Sequence, residues 1–128
     1  MASATKTGSS VVASTSNAAN ATTRGTVSLG THLGGILTFK ITNGALGPTT
    51  ECKANVLIAH NGTAPAAGSE GANWKTVYSL AGGIANNAVT PGSYTFGIEV
   101  MSIEIEFTGN TGQSVTVESD ISVANSIA

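Results

Sequence analysis

From Gly25 onward the chain alternates apolar and polar positions in short runs broken by turn residues. The cleanest run is Ile36–Thr42. Leu37, Phe39 and Ile41 fall on one side and Thr38, Lys40 and Thr42 on the other, the period of a half-buried strand. Gly25–Leu33 places Val27, Leu29 and Leu33 on one parity. Glu51–His60 sets Cys52, Ala54, Val56 and Ile58 against Glu51, Lys53 and Asn55. Trp74–Ala81 is a further strand. Gly34-Gly35, Asn43-Gly44, Gly47-Pro48, Gly82-Gly83, Asn86-Asn87 and Pro91 punctuate the runs. Tyr94, Phe96, Ile98 and Val100 share a face, and Ile103, Ile105 and Phe107 follow one residue out of phase. A β-bulge at Met101-Ser102 is the expected cause of that slip.

Ile103–Thr108 and Ser114–Val123 flank Gly109-Asn110-Thr111-Gly112 and read as a hairpin with Gly112 left-handed. This register pairs Phe107 with Val115 and Ile105 with Val117 on the core face. On the other face Glu106 meets Thr116, Glu104 meets Glu118, and Ser102 meets Asp120. No window holds apolar residues at helical spacing. The predicted fold is all-β: a single antiparallel β-sandwich, Ig-like or jelly-roll, of seven or eight strands over residues 25–128.

Residues 1–24 read as an extended, low-complexity N-terminal arm of Ser, Thr, Ala, Asn and Gly. Val11 and Val12 are its only strong apolar pair, too little to fold alone. Two readings are open: a strap held by a neighbouring subunit, with Val11 and Val12 as docking residues, or an edge strand on its own domain. Under the first, deleting 1–24 leaves the sandwich folded and weakens assembly.

Composition narrows the function. Charged residues are 9% of the 128, while Ser and Thr together number 32. Five basic residues and a net charge of −2 do not supply the phosphate neutralisation of a nucleic-acid partner. No apolar run has the length of a membrane span. The single cysteine, Cys52, excludes an internal disulfide, and no signal-peptide core follows the N-terminus, which points to maturation in a reducing cytoplasm.

No enzyme is expected. Cys52 and His60 lie on one strand about 26 Å apart at the usual strand rise, too far for a thiolate pair. With His32 they are too scattered for a metal, and neither a cofactor nor a catalytic residue is expected. The expected register gathers Glu104, Glu106, Glu118 and Asp120 on one solvent-facing side. That face reads as a solvated surface that prevents stacking, a dock for a basic partner, or a weak divalent-cation site. Trp74, Tyr78 and Tyr94 read as core, or as a sugar-stacking platform.

Two stretches carry a resemblance. They are Leu37-Thr38-Phe39-Lys40-Ile41-Thr42-Asn43-Gly44-Ala45 with Gly47-Pro48-Thr49, and Phe107-Thr108-Gly109-Asn110-Thr111-Gly112-Gln113-Ser114-Val115-Thr116-Val117-Glu118. With Trp74 between them, residues 27–123 resemble small β-sandwich structural proteins from tailed-bacteriophage virions. The resemblance implies a non-enzymatic particle component such as a capsid decoration (cement) protein. It implies a major capsid protein or other virion subunits as partners, assembly in the host cytoplasm, and a virion location. A homo-oligomer, a trimer for instance, is the natural form of a shell component. The competing function is a tail- or fibre-associated carbohydrate-binding module for adsorption.

Overall fold

The computed structural model describes residues 4–61, 64–68 and 70–127. Among them there are eight strands and no helix. The strands are β1 (Ala4–Asn17), β2 (Thr23–Ser28), β3 (Gly35–Asn43), β4 (Lys53–Ala59), β5 (Lys75–Ala81), β6 (Val89–Phe96), β7 (Ser102–Thr108) and β8 (Val115–Ile127). They form two antiparallel sheets in the orders β1-β8-β3-β6 and β2-β7-β4-β5. Every connection except β4–β5 passes from one sheet to the other. This is the double Greek key of a jelly roll, one of the two sandwich types the sequence leaves open.

The core lies between the sheets, and the alternation predicts its lining. Leu37, Phe39 and Ile41 of β3 and Ile103, Ile105 and Phe107 of β7 are buried there with Ala54, Val56, Val115, Val117 and Ile121. Ser119 also points inward, and its hydroxyl donates to the Thr38 carbonyl at 2.8 Å, so its burial leaves no orphan.

Two local expectations give way to sheet crossings. The phase slip near Met101 is not a bulge within one strand. β6 stops at Phe96, a turn closes with Val100 N–H donating to Gly97 O at 3.2 Å, and β7 starts in the opposite sheet. Nor do β7 and β8 form a hairpin. Phe107 faces Thr23 and Ala54, while Val115 faces Asn17 and Asn43. Gly112 does adopt positive φ (81°), as does Gly109 (100°), and these residues turn the chain between sheets.

The β7–β8 crossing is locked by two buried amides. Asn110 Nδ2 donates to the carbonyls of Asn17 (3.1 Å), Ala18 (3.3 Å) and Gln113 (3.0 Å). Asn17 Nδ2 donates to Asn110 Oδ1 at 2.6 Å and to Ala21 O at 3.1 Å. Thr23 Oγ1 donates to Asn17 Oδ1 at 2.6 Å. The β1–β2 and β7–β8 connections are thereby tied at one end of the sandwich.

Residues 4–17 are not a free arm. They are the edge strand β1, antiparallel to β8 from Ala4↔Ile127 to Asn17↔Val115. Val12 enters the core, and a Cβ at Gly25 would meet Val11 Cγ1 at 2.7 Å and Val12 Cγ2 at 2.9 Å. The expected boundary at 24/25 falls inside β2. Composition misses this strand because backbone pairing, not apolar burial, holds most of it.

Three of the four edge strands, β1, β6 and β5, carry a device against further pairing. β1 has three register shifts. β6 has Pro91, which has no N–H to donate. In β5, Val77 is unmatched at a register shift, and the Glu70 carboxylate accepts the Thr76 N–H at 2.8 Å.

Because β1 supplies Val12, Asn17 and the partner row of β8, deletion of residues 1–17 is expected to abolish cooperative unfolding. Thermal melts followed by near-UV circular dichroism test this. A truncated chain that melts like the parent refutes the structural role assigned to β1.

Candidate functional site

The polar groups of the β2-β7-β4-β5 sheet line up across its outer face. Strand register places Arg24, Glu106, Asn55 and Ser79 in one row. Arg24 donates to Glu106 Oε2 through Nε (3.2 Å) and Nη2 (2.7 Å). Asn55 Nδ2 donates to Glu106 Oε1 at 3.0 Å, and Ser79 Oγ donates to Asn55 Oδ1 at 2.7 Å. The row thus runs cation, anion, amide, hydroxyl, each matched to the next.

The next row contains Thr26, Glu104 and Leu57. Here the face is roofed by residues 64–68 of the β4–β5 connection. Gly68 N–H donates to Glu104 Oε1 at 3.0 Å, and Trp74 Nε1 donates to Ala66 O at 3.1 Å. Trp74, Leu57 and Ala59 form a small second apolar cluster. Glu104 is 0% exposed, and its Oε2 has no hydrogen-bond partner. Burial pushes its carboxyl above the ordinary value, against the pull of the Gly68 N–H and the Arg24 guanidinium, with Glu106 adding to the rise.

The four acids therefore do not share a face. Glu104 and Glu106 are buried on the outer side of one sheet. Glu118 and Asp120 lie on the outer side of the other, where Lys40 Nζ approaches Glu118 Oε1 at 2.7 Å and Asp120 faces Thr38. The expected Glu104–Glu118 repulsion is absent because β7 and β8 belong to different sheets. Arg24 and Asn55 are the functional partners that sequence reasoning misses. Their signal is a parity match to Glu106 that appears only once β2 and β4 are known to flank β7.

Val11 and Val12 pack inward instead of forming a docking patch. The three-ring platform is also divided. Trp74 is 3% exposed beneath the roof. Tyr78 and Tyr94 meet at the sandwich edge formed by β5 and β6, with ring centroids 6.5 Å apart, and Phe39 lies 6.0 Å from Tyr78. Cys52 is fully buried in the core, and burial pushes its thiol up to about 11. Among the described residues no three His, Cys, Asp or Glu side chains converge as a metal site.

No protein-family model matches the sequence, and no curated protein does so. Solved structures do resemble the fold. The chain is similar to a protein of the T13 infectious bursal disease virus particle, with a TM-score of 0.56, 8% identity, and 94% of this chain covering 31% of that one. The likeness is one of fold. It extends to VP2 in a subviral particle of the same virus (TM-score 0.51, 12% identity, 94% and 33% coverage). It extends equally to the K3 cleaved adhesin domain of Lys-gingipain from Porphyromonas gingivalis (TM-score 0.54, 12% identity, 86% and 73%). The chain spans about a third of the viral proteins it matches.

Two measurements check the buried groups. The folded pKa of Glu104 is raised, so its ionisation opposes folding, and stability falls as pH rises from the ordinary 4.5 through the raised value. Glu104→Gln keeps an acceptor for Gly68 and removes the charge. Denaturant melts from about pH 4.5 upward should show it flatter with pH and more stable than the parent at the alkaline end. Cys52 should resist thiol reagents in the native protein and react on unfolding, because both burial and the raised thiol value suppress the thiolate. Rapid labelling without unfolding would contradict the core position.

Proposed function

We propose that this chain is a structural component of a virus particle, and within that class a decoration protein on the outside of a bacteriophage capsid. One observation carries the reading. The end of the sandwich formed by residues 18–22, 44–52, 82–88 and 109–114 carries one charged side chain, Glu51, which is half-buried and whose carboxylate accepts the Gly83 N–H at 3.3 Å. It exposes Leu46 (64%), Ile84 (61%) and Val89 (56%). An end with projecting aliphatic groups, whose one charge already has a backbone partner, suits close packing against a protein shell, where a free charge would have to be desolvated.

The fold supports the same reading, since a jelly roll also serves in a viral particle. The sequence resemblance to phage virion proteins points the same way. The partner is a major capsid protein or a neighbouring virion subunit. Copies gather around a symmetry axis of the shell, as a trimer or another closed ring. Attachment acts by mass action, because each copy that binds only the expanded shell stabilises that state. The burial of Trp74 weighs against the three-ring adsorption platform.

Undecorated, expanded capsids of the encoding phage, mixed with the purified chain, provide the test. Saturable binding with little salt dependence is expected, since the contact holds one charge, Glu51, already bonded within the chain. Leu46→Asp with Ile84→Asp should weaken it by about tenfold or more, through the cost of desolvating two charges. Absence of saturable binding at every salt concentration refutes decoration.

A further inference from the structure

At the end opposite Leu46 and Ile84, a cavity of about 280 Å³ opens beside the β4–β5 and β6–β7 connections. Its floor is apolar, made by Ile58, Ala59 and Val100. Tyr94 forms one wall and keeps its ring braced by Tyr78. The remaining lining is polar and comes from separate segments. His60 closes β4, Asn73 and Lys75 lead into β5, and Glu99 lies in the β6–β7 turn. The polar ends of His60, Asn73, Tyr94 and Glu99 make no hydrogen bond to another described residue. The Glu99 carboxylate also folds back over Gly97, in space that a Cβ there would fill.

We propose that this cavity binds one neutral pyranose ring, for example the terminal sugar of a surface glycan. A pyranose presents a face of C–H groups and a rim of hydroxyls. The floor and the Tyr94 ring suit the face, and the polar lining suits the rim. Asn73, Tyr94 and His60 can each donate or accept, Lys75 donates and Glu99 accepts. Lys75 and Glu99 balance within the lining, and Lys75 also interacts with the Glu70 carboxylate beside it, so the site favours hydroxyls over an ionised ligand. The volume lies just below the usual range for ligand pockets, which fits one ring and not a chain. The cavity stands independently of the shell-binding reading. If that reading holds, the end with Leu46 and Ile84 faces the shell and the cavity faces outward.

The test is an amide-resolved NMR titration of the full chain with methyl galactoside, methyl glucoside, N-acetylglucosamine and glucuronate as separate probes. A neutral sugar should produce saturable shifts centred on His60, Asn73, Tyr94 and Glu99, with millimolar affinity. Asn73→Ala and Glu99→Gln, both at exposed loop positions, should each weaken it by about tenfold, equivalent to roughly 1.4 kcal/mol, with unchanged melting temperature. Several outcomes overturn the proposal: no saturable shift with any neutral sugar, shifts centred elsewhere, or affinity unaltered in both variants. Binding of glucuronate alone also overturns it and assigns the cavity to anions at Lys75. None of these results bears on capsid binding, so the two readings fail separately.

Discussion

The structure turns on the step from β7 to β8. Gly109 and Gly112 both take positive φ, and between them Asn110 reaches back to three carbonyls and to Asn17. That lock sends β8 into the sheet opposite β7. A tight hairpin here would have paired Glu104 with Glu118 and gathered four carboxylates on one face. The crossing instead gives each acid its own surroundings. Glu106 receives Arg24 and Asn55, Glu118 receives Lys40, and Glu104 goes beneath the roof. A buried amide that satisfies so many backbone acceptors is hard to replace, because loss of its side chain leaves several of them unpaired at once.

The strands and their inward residues are largely legible in the sequence. Leu37, Phe39 and Ile41 face the core as their alternation says, as do Ile103, Ile105 and Phe107. What the alternation does not carry is the partner. Parity states which side of a strand is apolar, and that side faces the core from either sheet. A hairpin pair and two strands in facing sheets therefore look alike in sequence. The bulge expected at Met101-Ser102 has the same origin, since a change of sheet also shifts the phase.

The candidate sites were legible only in part, for related reasons. Burial of Trp74 and Glu104 depends on the β4–β5 connection folding over the sheet, and residues 61–73 are mostly small and carry no period that announces it. Arg24 and Glu106 are 82 positions apart and meet only through strand order. The low charge content takes on a local meaning. Glu104 and Glu106 are buried, while the loops of one whole end carry a single acid, Glu51. What that leaves for recognition is shape and hydrogen bonding, not long-range attraction.

β1 pairs with β8 along nearly its full length, from Ala4 with Ile127 inward. On the ribosome the first strand therefore emerges long before its partner exists. It must wait unpaired while the intervening strands are made, and an exposed strand in that position is the usual seed of misassembly. A Val- and Ile-rich segment would be hazardous there. The run of Ser, Thr, Ala and Gly that makes residues 4–17 look unstructured keeps the waiting strand hydrated and unattractive to other chains. The blandness of this segment is thus a property suited to the nascent chain, and the finished fold supplies its order only when the last strand arrives.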